Sequence, residues 1–287
     1  MALTPTELSA LLKARGLRLT KRLGQHHLID PHAIHGVLEA CGSLAERTVV
    51  EIGPGLGALT EPLAERARRV IAVEVDRGVA AALAKRLSPL RNVEVRCEDI
   101  LRFSFDSFRH AVVVGAIPYH ITSPILAALC ASREAIERAV LVVQEEVARR
   151  LAAVPGTKAY GRLSVLVQYG WNVTLRARVP RGAFFPPPGV DSRCVELSTR
   201  SRPAVHVASE PLFFEVVKAA FSQRRKTLAN ALAGLRQDWR LPRTELQALL
   251  ASLGLPATIR GEVLSLAQFA SLTNALAQRH AGVRPQA

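Results

Sequence analysis

Short apolar, β-branched runs recur through the first two thirds of the chain, at 48–52, 70–75, 93–97, 111–114 and 139–144, with helical stretches between them. Such alternation predicts a parallel sheet with helices on both faces. Two later runs, 163–169 and 194–198, read as further strands on either side of the turn-rich segment 184–192, F-F-P-P-P-G-V-D-S, where a mixed sheet edge is expected. From Pro211 onward the apolar residues fall three and four apart, predicting helices over 212–235, 244–253 and 266–277. Helical periodicity lapses between Arg200 and Ser209, so an α/β domain over 1–204 and a small all-helical domain over 205–287 are expected.

Composition narrows the partners. The 287 residues are 49% hydrophobic, ample for a core, and 38 Lys plus Arg against 24 Asp plus Glu leave a formal charge of +14. A chain of pI about 10.7 is expected to meet a polyanion, with nucleic acid ahead of an anionic membrane. No apolar run approaches the roughly 20 residues that span a bilayer. The start M-A-L-T-P-T-E-L lacks the basic-then-apolar pattern of a secretion signal, so a cytoplasmic location with no membrane partner is expected. Cysteines 41, 97, 130 and 194 are scattered with no C-x-x-C pair, which argues against a zinc ribbon and a disulfide framework. His26, His27, His32 and His35 crowd one segment, but without a nearby cysteine or an H-E-x-x-H arrangement no metal is expected.

The most specific local pattern is V-V-E-I-G-P-G-L-G at 49–57, a strand run ending in an acid and then a glycine-rich turn. Glycines at 53, 55 and 57 let the backbone turn sharply and approach a bound molecule, and Glu74 follows 21 positions after Gly53. Gly53, Gly55 and Ala58 also fit the dinucleotide fingerprint G-x-G-x-x-A. Glu51 discriminates between these ligands, because a carboxylate beside the turn opposes a pyrophosphate. S-adenosylmethionine, with an ammonium, a sulfonium and a ribose, suits two acids better.

After the fourth predicted strand comes Ala116-Ile117-Pro118-Tyr119, which resembles the N-[IL]-P-Y signature of methyltransferases acting on the exocyclic amino groups of bases, with alanine in the asparagine position. Further segments strengthen the likeness: L-G-Q-H-H-L-I-D (23–30), I-P-Y-H-I-T-S-P-I-L (117–126), Y-G-R-L-S-V-L-V-Q-Y (160–169), A-A-F-S-Q-R-R-K-T-L-A-N-A-L (219–232) and R-G-E-V-L-S-L-A-Q-F (260–269). Together these resemble the ribosomal RNA adenine N6,N6-dimethyltransferase family, in particular its small-subunit dimethyladenosine transferases, along nearly the whole chain.

The resemblance implies a Rossmann-like class I methyltransferase sheet with a small C-terminal helical domain, and S-adenosylmethionine as cofactor. It implies a donor site made by His26, Leu28, Glu51, Gly53, Gly55, Gly57, Glu74, Asp99 and Ala116, with Glu74 on the ribose and Asp99 beside the adenine. His26 stands where the family often has asparagine. Catalysis is implied for Ala116, Ile117, Pro118 and Tyr119, with Tyr119 stacking on an extruded base and Phe184 covering its other face. Lys21, Arg22, Arg224, Arg225 and Lys226 would neutralise RNA phosphates. Gly189 replaces a lysine usual in the family.

The implied activity is transfer of methyl groups to N6 of two adjacent adenosines near the 3′ end of 16S rRNA, together with assistance to ribosome biogenesis, by a monomer acting on the small ribosomal subunit. Ala116 cannot accept a hydrogen bond, and losing one aligned polar group in such a pocket costs about 2.7 to 4 kcal/mol, or roughly a hundred- to a thousandfold in rate. That substitution supports a second reading, a ribosome-assembly RNA-binding factor with weak or no methylation.

Overall fold

The computed structural model describes residue 6 and residues 26–223, 225–236 and 239–283, with side chains through 279. Their contacts divide the chain into two compact units. One runs through Ala148 and resumes for Asn172–Thr199; the other comprises Arg149–Trp171 and the chain from Arg200 onward. The division therefore differs from a single break between 204 and 205, since Arg149–Trp171 belongs with the helices and the later crossing falls at 199/200.

Among the described residues the strands are, in chain order, β1 (His27–Leu28), β2 (Thr48–Ile52), β3 (Arg69–Glu74), β4 (Val93–Cys97), β5 (Ala111–Ala116), β6 (Ile136–Gln144), β7 (Trp171–Val179), β8 (Phe184–Phe185) and β9 (Ser192–Thr199). Seven of them form one sheet in the order β4-β3-β2-β5-β6-β9-β7, and β1 pairs with β8 in a separate two-stranded ribbon. The run from β4 to β6 is parallel, and β9 is antiparallel to β6, which makes the expected mixed edge. Val49, Val50 and Ile52 are buried because β2 is central, with β3 on one side and β5 on the other. The chain builds outward from β2 to β3 and β4, then returns to β5 and β6. Open α/β sheets present a ligand crevice where the direction reverses, here at the carboxyl ends of β2 and β5. Those two ends lie close, as a Cβ on Gly115 would stand 2.6 Å from the Ile52 carbonyl oxygen.

The first unit also holds α1 (Pro31–Cys41), α2 (Thr60–Ala64), α3 (Arg77–Leu87) and α4 (Thr122–Ala131). Asp30 caps α1 by accepting from Ala33 N at 2.7 Å, Pro31 opens the helix, and Gly42 follows its end. Asp76 caps α3 by accepting from Gly78 N and Val79 N, while Lys85 and Arg86 occupy the last turn, where the helix dipole favours cations. Leu38, Val49, Leu63, Val70, Val112 and Val140 are among the residues of one buried cluster in this unit.

A helix α5 (Glu145–Leu151) precedes the second unit's α6 (Arg162–Gly170), α7 (Glu210–Ser222), α8 (Leu228–Leu232), α9 (Arg243–Ser252) and α10 (Leu266–Val283). The strand expected over 163–169 is thus a helix. Leu163, Val165, Val167 and Tyr169 alternate with other residues as a strand would, but Ser164 donates to Arg150 O at 2.6 Å, and Tyr169 packs on Phe213 and Phe214. These contacts override local β preference. The next strand, β7, was not anticipated, because its exposed positions mix Asn172, Thr174, Arg176 and Arg178 with Leu175 and Ala177 and make no apolar run. The single helix expected over 212–235 is two, separated by a turn in which Lys226 N donates to Gln223 O and by an extended Thr227.

Candidate active site

The carboxyl ends of β2, β3, β4 and β5 gather the residues singled out by their chemistry. Gly55 has φ +56, and a Cβ there would meet the His27 imidazole at 2.5 Å, so the turn excludes a side chain for two reasons. Glu74 ends β3 almost fully buried. Its Oε2 accepts from Gly55 N at 3.3 Å and its Oε1 from Asp76 N at 3.0 Å, tying the glycine-rich turn to the neighbouring strand end. Burial raises the Glu74 pKa, and those backbone hydrogen bonds offset part of the rise.

Glu51 is more extreme. It is 1% exposed, and its Oε2 has no hydrogen-bond partner among the described residues. Burial pushes its pKa to about 8, the adjacent Thr60 hydroxyl draws it down and the charge of Glu74 pushes it up. The Thr60 hydroxyl lies beside the carboxyl without forming a well-aligned hydrogen bond.

Two adjoining cavities open here. The larger, about 820 Å³ and open to solvent, is lined by His26, Gly53, Gly55, Glu74, Asp99, Ala116, Ile117, Pro118, Tyr119 and Phe184 among others. The smaller, about 530 Å³, is lined by Leu28 and Glu51 together with His26, Gly53 and Ala116. Gly57 lines neither, and a Cβ there would stand 2.8 Å from Leu83. Asp99 follows β4, with its Oδ1 accepting from Leu101 N at 3.0 Å.

Ile117 is buried, and its N–H donates to Val142 O at 3.1 Å, which holds the tetrapeptide against β6. Tyr119 Oη and Ser192 Oγ are 2.7 Å apart, and the Tyr119 ring faces the His26 imidazole at 5.8 Å between centroids and 26° between planes. His26 Nδ1 lies 2.7 Å from Pro186 O. A carbonyl only accepts, so Nδ1 carries the hydrogen of this contact. Phe184, 4% exposed, comes to the cavity through β8, paired in register with Leu28 of β1.

Lys21, Arg22 and Arg224 lie outside the described residues. Arg225 and Lys226 are exposed in the turn after α7 of the second unit. His27, expected only as part of the segment 25–28 that closes over the donor and not singled out itself, lines both cavities. Its position inside Q-H-H-L, next to a residue that was chosen, was the available signal. Glu98 and Ile100, flanking Asp99, also line the larger cavity. Among the described residues no group of three or more His, Cys, Asp or Glu could hold a metal ion, and no helix is long and apolar enough to cross a membrane.

Residues 16–278 match the ribosomal RNA adenine dimethylase family. The chain is 42% identical over 282 residues to ribosomal RNA small subunit methyltransferase A of Anoxybacillus flavithermus, covering 95% of each chain, and 41% identical to its counterpart in Geobacillus thermodenitrificans, covering 95% of this chain and 96% of that one. Among solved structures, a dimethyladenosine transferase from Plasmodium falciparum superposes with a TM-score of 0.74 at 28% identity, covering 86% of this chain and 96% of that one. The 23S rRNA methyltransferase ErmE superposes with a TM-score of 0.66 at 30% identity, covering 88% and 99%.

The cavity walls fit S-adenosylmethionine. A buried carboxyl with an unpartnered oxygen suits an ammonium, a second acid at the next strand end suits ribose hydroxyls, and the glycine-rich turn leaves room between them. The chain belongs to the ribosomal RNA adenine dimethylase family and is an S-adenosylmethionine-dependent rRNA adenine methyltransferase.

Proposed function

We propose that this protein dimethylates N6 of two adjacent adenosines near the 3′ end of 16S rRNA, acting as a cytoplasmic monomer on the small ribosomal subunit and assisting its assembly. The observation that carries the reading is the larger cavity, where Glu74, Asp99 and the Ile117-Pro118-Tyr119 segment meet at the sheet's reversal point. Small-subunit specificity rests on the relatives above about 40% identity, which carry that name along nearly their whole length.

In this reading Gly53 and Glu51 hold the methionine end of the donor, Glu74 accepts from the ribose hydroxyls, and Asp99 accepts from the adenine amino group, with His26 and Leu28 closing the site. When bound, S-adenosylmethionine would supply an electrophilic methyl carbon on a sulfonium, and transfer to N6 would leave neutral S-adenosylhomocysteine, with the displaced N6 proton passing to solvent. The N6 lone pair is delocalised into the base, so the protein must make that nitrogen more pyramidal and aim it. The Ile117 carbonyl accepts one N6 hydrogen, Tyr119 stacks on the extruded base and Phe184 bounds its other face. Arg225 and Lys226, with Lys21, Arg22 and Arg224, neutralise phosphates.

Ala116 favours one alternative, an assembly factor that binds RNA and donor but methylates slowly. Radiolabelled methyl transfer to unmethylated small subunits, for this chain beside Ala116→Asn, separates the two. Dimethyladenosine from both, with the asparagine variant at least about tenfold faster in single turnover, is the expected result. Product from the variant alone would support the assembly factor, and silence from both would remove the enzymatic reading. A single acceptor suffices once one N6 hydrogen remains, so the first methylation should gain more from asparagine than the second.

A further inference from the structure

The two cavities differ in what they can hold. Glu74 and Asp99 line only the larger, whereas Glu51, Leu56 and Arg86 line only the smaller. With the ribose and adenine assigned to the first two acids, the amino-acid end of the donor falls to the smaller cavity. Two residues of its lining, Glu51 and His27, each carry a buried polar atom, Oε2 and Nε2, that lacks a hydrogen-bond partner among the described residues, and His27 lines the larger cavity as well. An unmatched buried polar atom is costly, and two on one cavity wall indicate a polar ligand. Arg86 is already engaged, with Glu61 at 2.7 Å and with the Leu56 carbonyl.

Resting on the donor site proposed above, we infer that His27 is a donor-recognition residue whose Nε2–H donates to the carboxylate at the amino-acid end of S-adenosylmethionine, while Glu51 takes the ammonium. The imidazole is placed for this by the glycine-rich turn. A Cβ on Gly55 would collide with His27 Nδ1 and Cε1 at 2.5 and 2.7 Å, so the ring lies directly against a backbone that offers no side chain. Burial, and the charge of His26 beside it, bring the His27 pKa down to about 4, so at neutral pH the ring is uncharged and carries one hydrogen. Such a ring can donate from Nε2 without placing its own charge on the buried wall it shares with Glu51.

Calorimetric binding to the whole protein tests this with ligands cut at defined points. S-adenosylhomocysteine keeps both ends of the amino acid, decarboxylated S-adenosylmethionine keeps only the ammonium, and methylthioadenosine has neither. His27→Phe, which retains a ring against Gly55, should weaken S-adenosylhomocysteine about tenfold and leave the other two within about twofold, while His27→Gln, which keeps a donor, should recover most of the loss. Equal weakening of all three ligands would mean that His27 only packs the site. Loss with the decarboxylated ligand but not with methylthioadenosine would assign His27 to the ammonium, and no change at all would remove it from recognition. If the unaltered protein bound none of the three, the donor site itself would be misplaced.

Discussion

Tyr119 and Ser192 are 73 residues apart in sequence, yet their hydroxyl oxygens lie 2.7 Å apart, one following the central strand β5 and the other opening β9. Ser192 is fully buried, so it gives the half-buried tyrosine a fixed anchor. A ring held at its para position keeps its face toward the cavity, as a stacking platform requires. Burial raises the Tyr119 pKa, and the hydrogen bond shared with Ser192 offsets part of that, so the phenol stays protonated at neutral pH.

Ser192→Ala should lower single-turnover methylation about three- to tenfold, the effect of one hydrogen bond, with S-adenosylhomocysteine affinity unchanged. Tyr119→Phe should cost a similar amount. The double variant should be no slower than either single one, because both remove the same interaction. Additive losses in that cycle would show that the two hydroxyls act separately.

Glu51 predicts a dependence of stability on pH. Its folded pKa of about 8 lies above the ordinary carboxyl value of 4.5 it takes in the unfolded chain, so its contribution is fully present below about pH 4.5 and is lost as pH rises through 8. Glu51→Gln, which cannot ionise, should therefore unfold at a higher temperature than the unaltered protein at pH 8, with the gap shrinking toward pH 5. The difference should reach a few kcal/mol, read from denaturant melts across that range. The same variant should bind S-adenosylhomocysteine more weakly, since it no longer offers a carboxylate to the ammonium. A pH-independent gap would mean that Glu51 ionises normally in the fold.

The exposed cations after α7 predict salt dependence. Replacing Arg225 and Lys226 by alanine should weaken RNA binding and reduce the slope of log affinity against log salt by roughly 2. Affinity for S-adenosylhomocysteine, measured on the same preparation, should stay unchanged. An unaltered slope would place the RNA contact elsewhere on this +14 chain.

Legibility followed the range of the physics. The strand at 48–52 was readable from Val49, Val50 and Ile52, because a central parallel strand is buried on both faces and is largely apolar, with Glu51 the acid that marks its ligand end. The segment 163–169 was misread, because a short alternating run fits either period and only the packing of Tyr169 on Phe213 and Phe214 selects the helix. Strand β7 escaped notice because an edge strand with solvated arginines carries little apolar signal.

The sequence by itself determined the local chemistry: an acid and a glycine-rich turn closing β2, an acid ending β3 and another following β4, and Ile117-Pro118-Tyr119 after β5. Strand ends and positive-φ turns are set by neighbours along the chain, so their residues announce them. Only the tertiary structure decided that His27 lies against Gly55, that Ser192 anchors Tyr119, and that Ala116 borders two cavities. Those relationships join segments as far apart as the 160 residues between His26 and Pro186, and they exist only once sheet order and register bring the strand ends together.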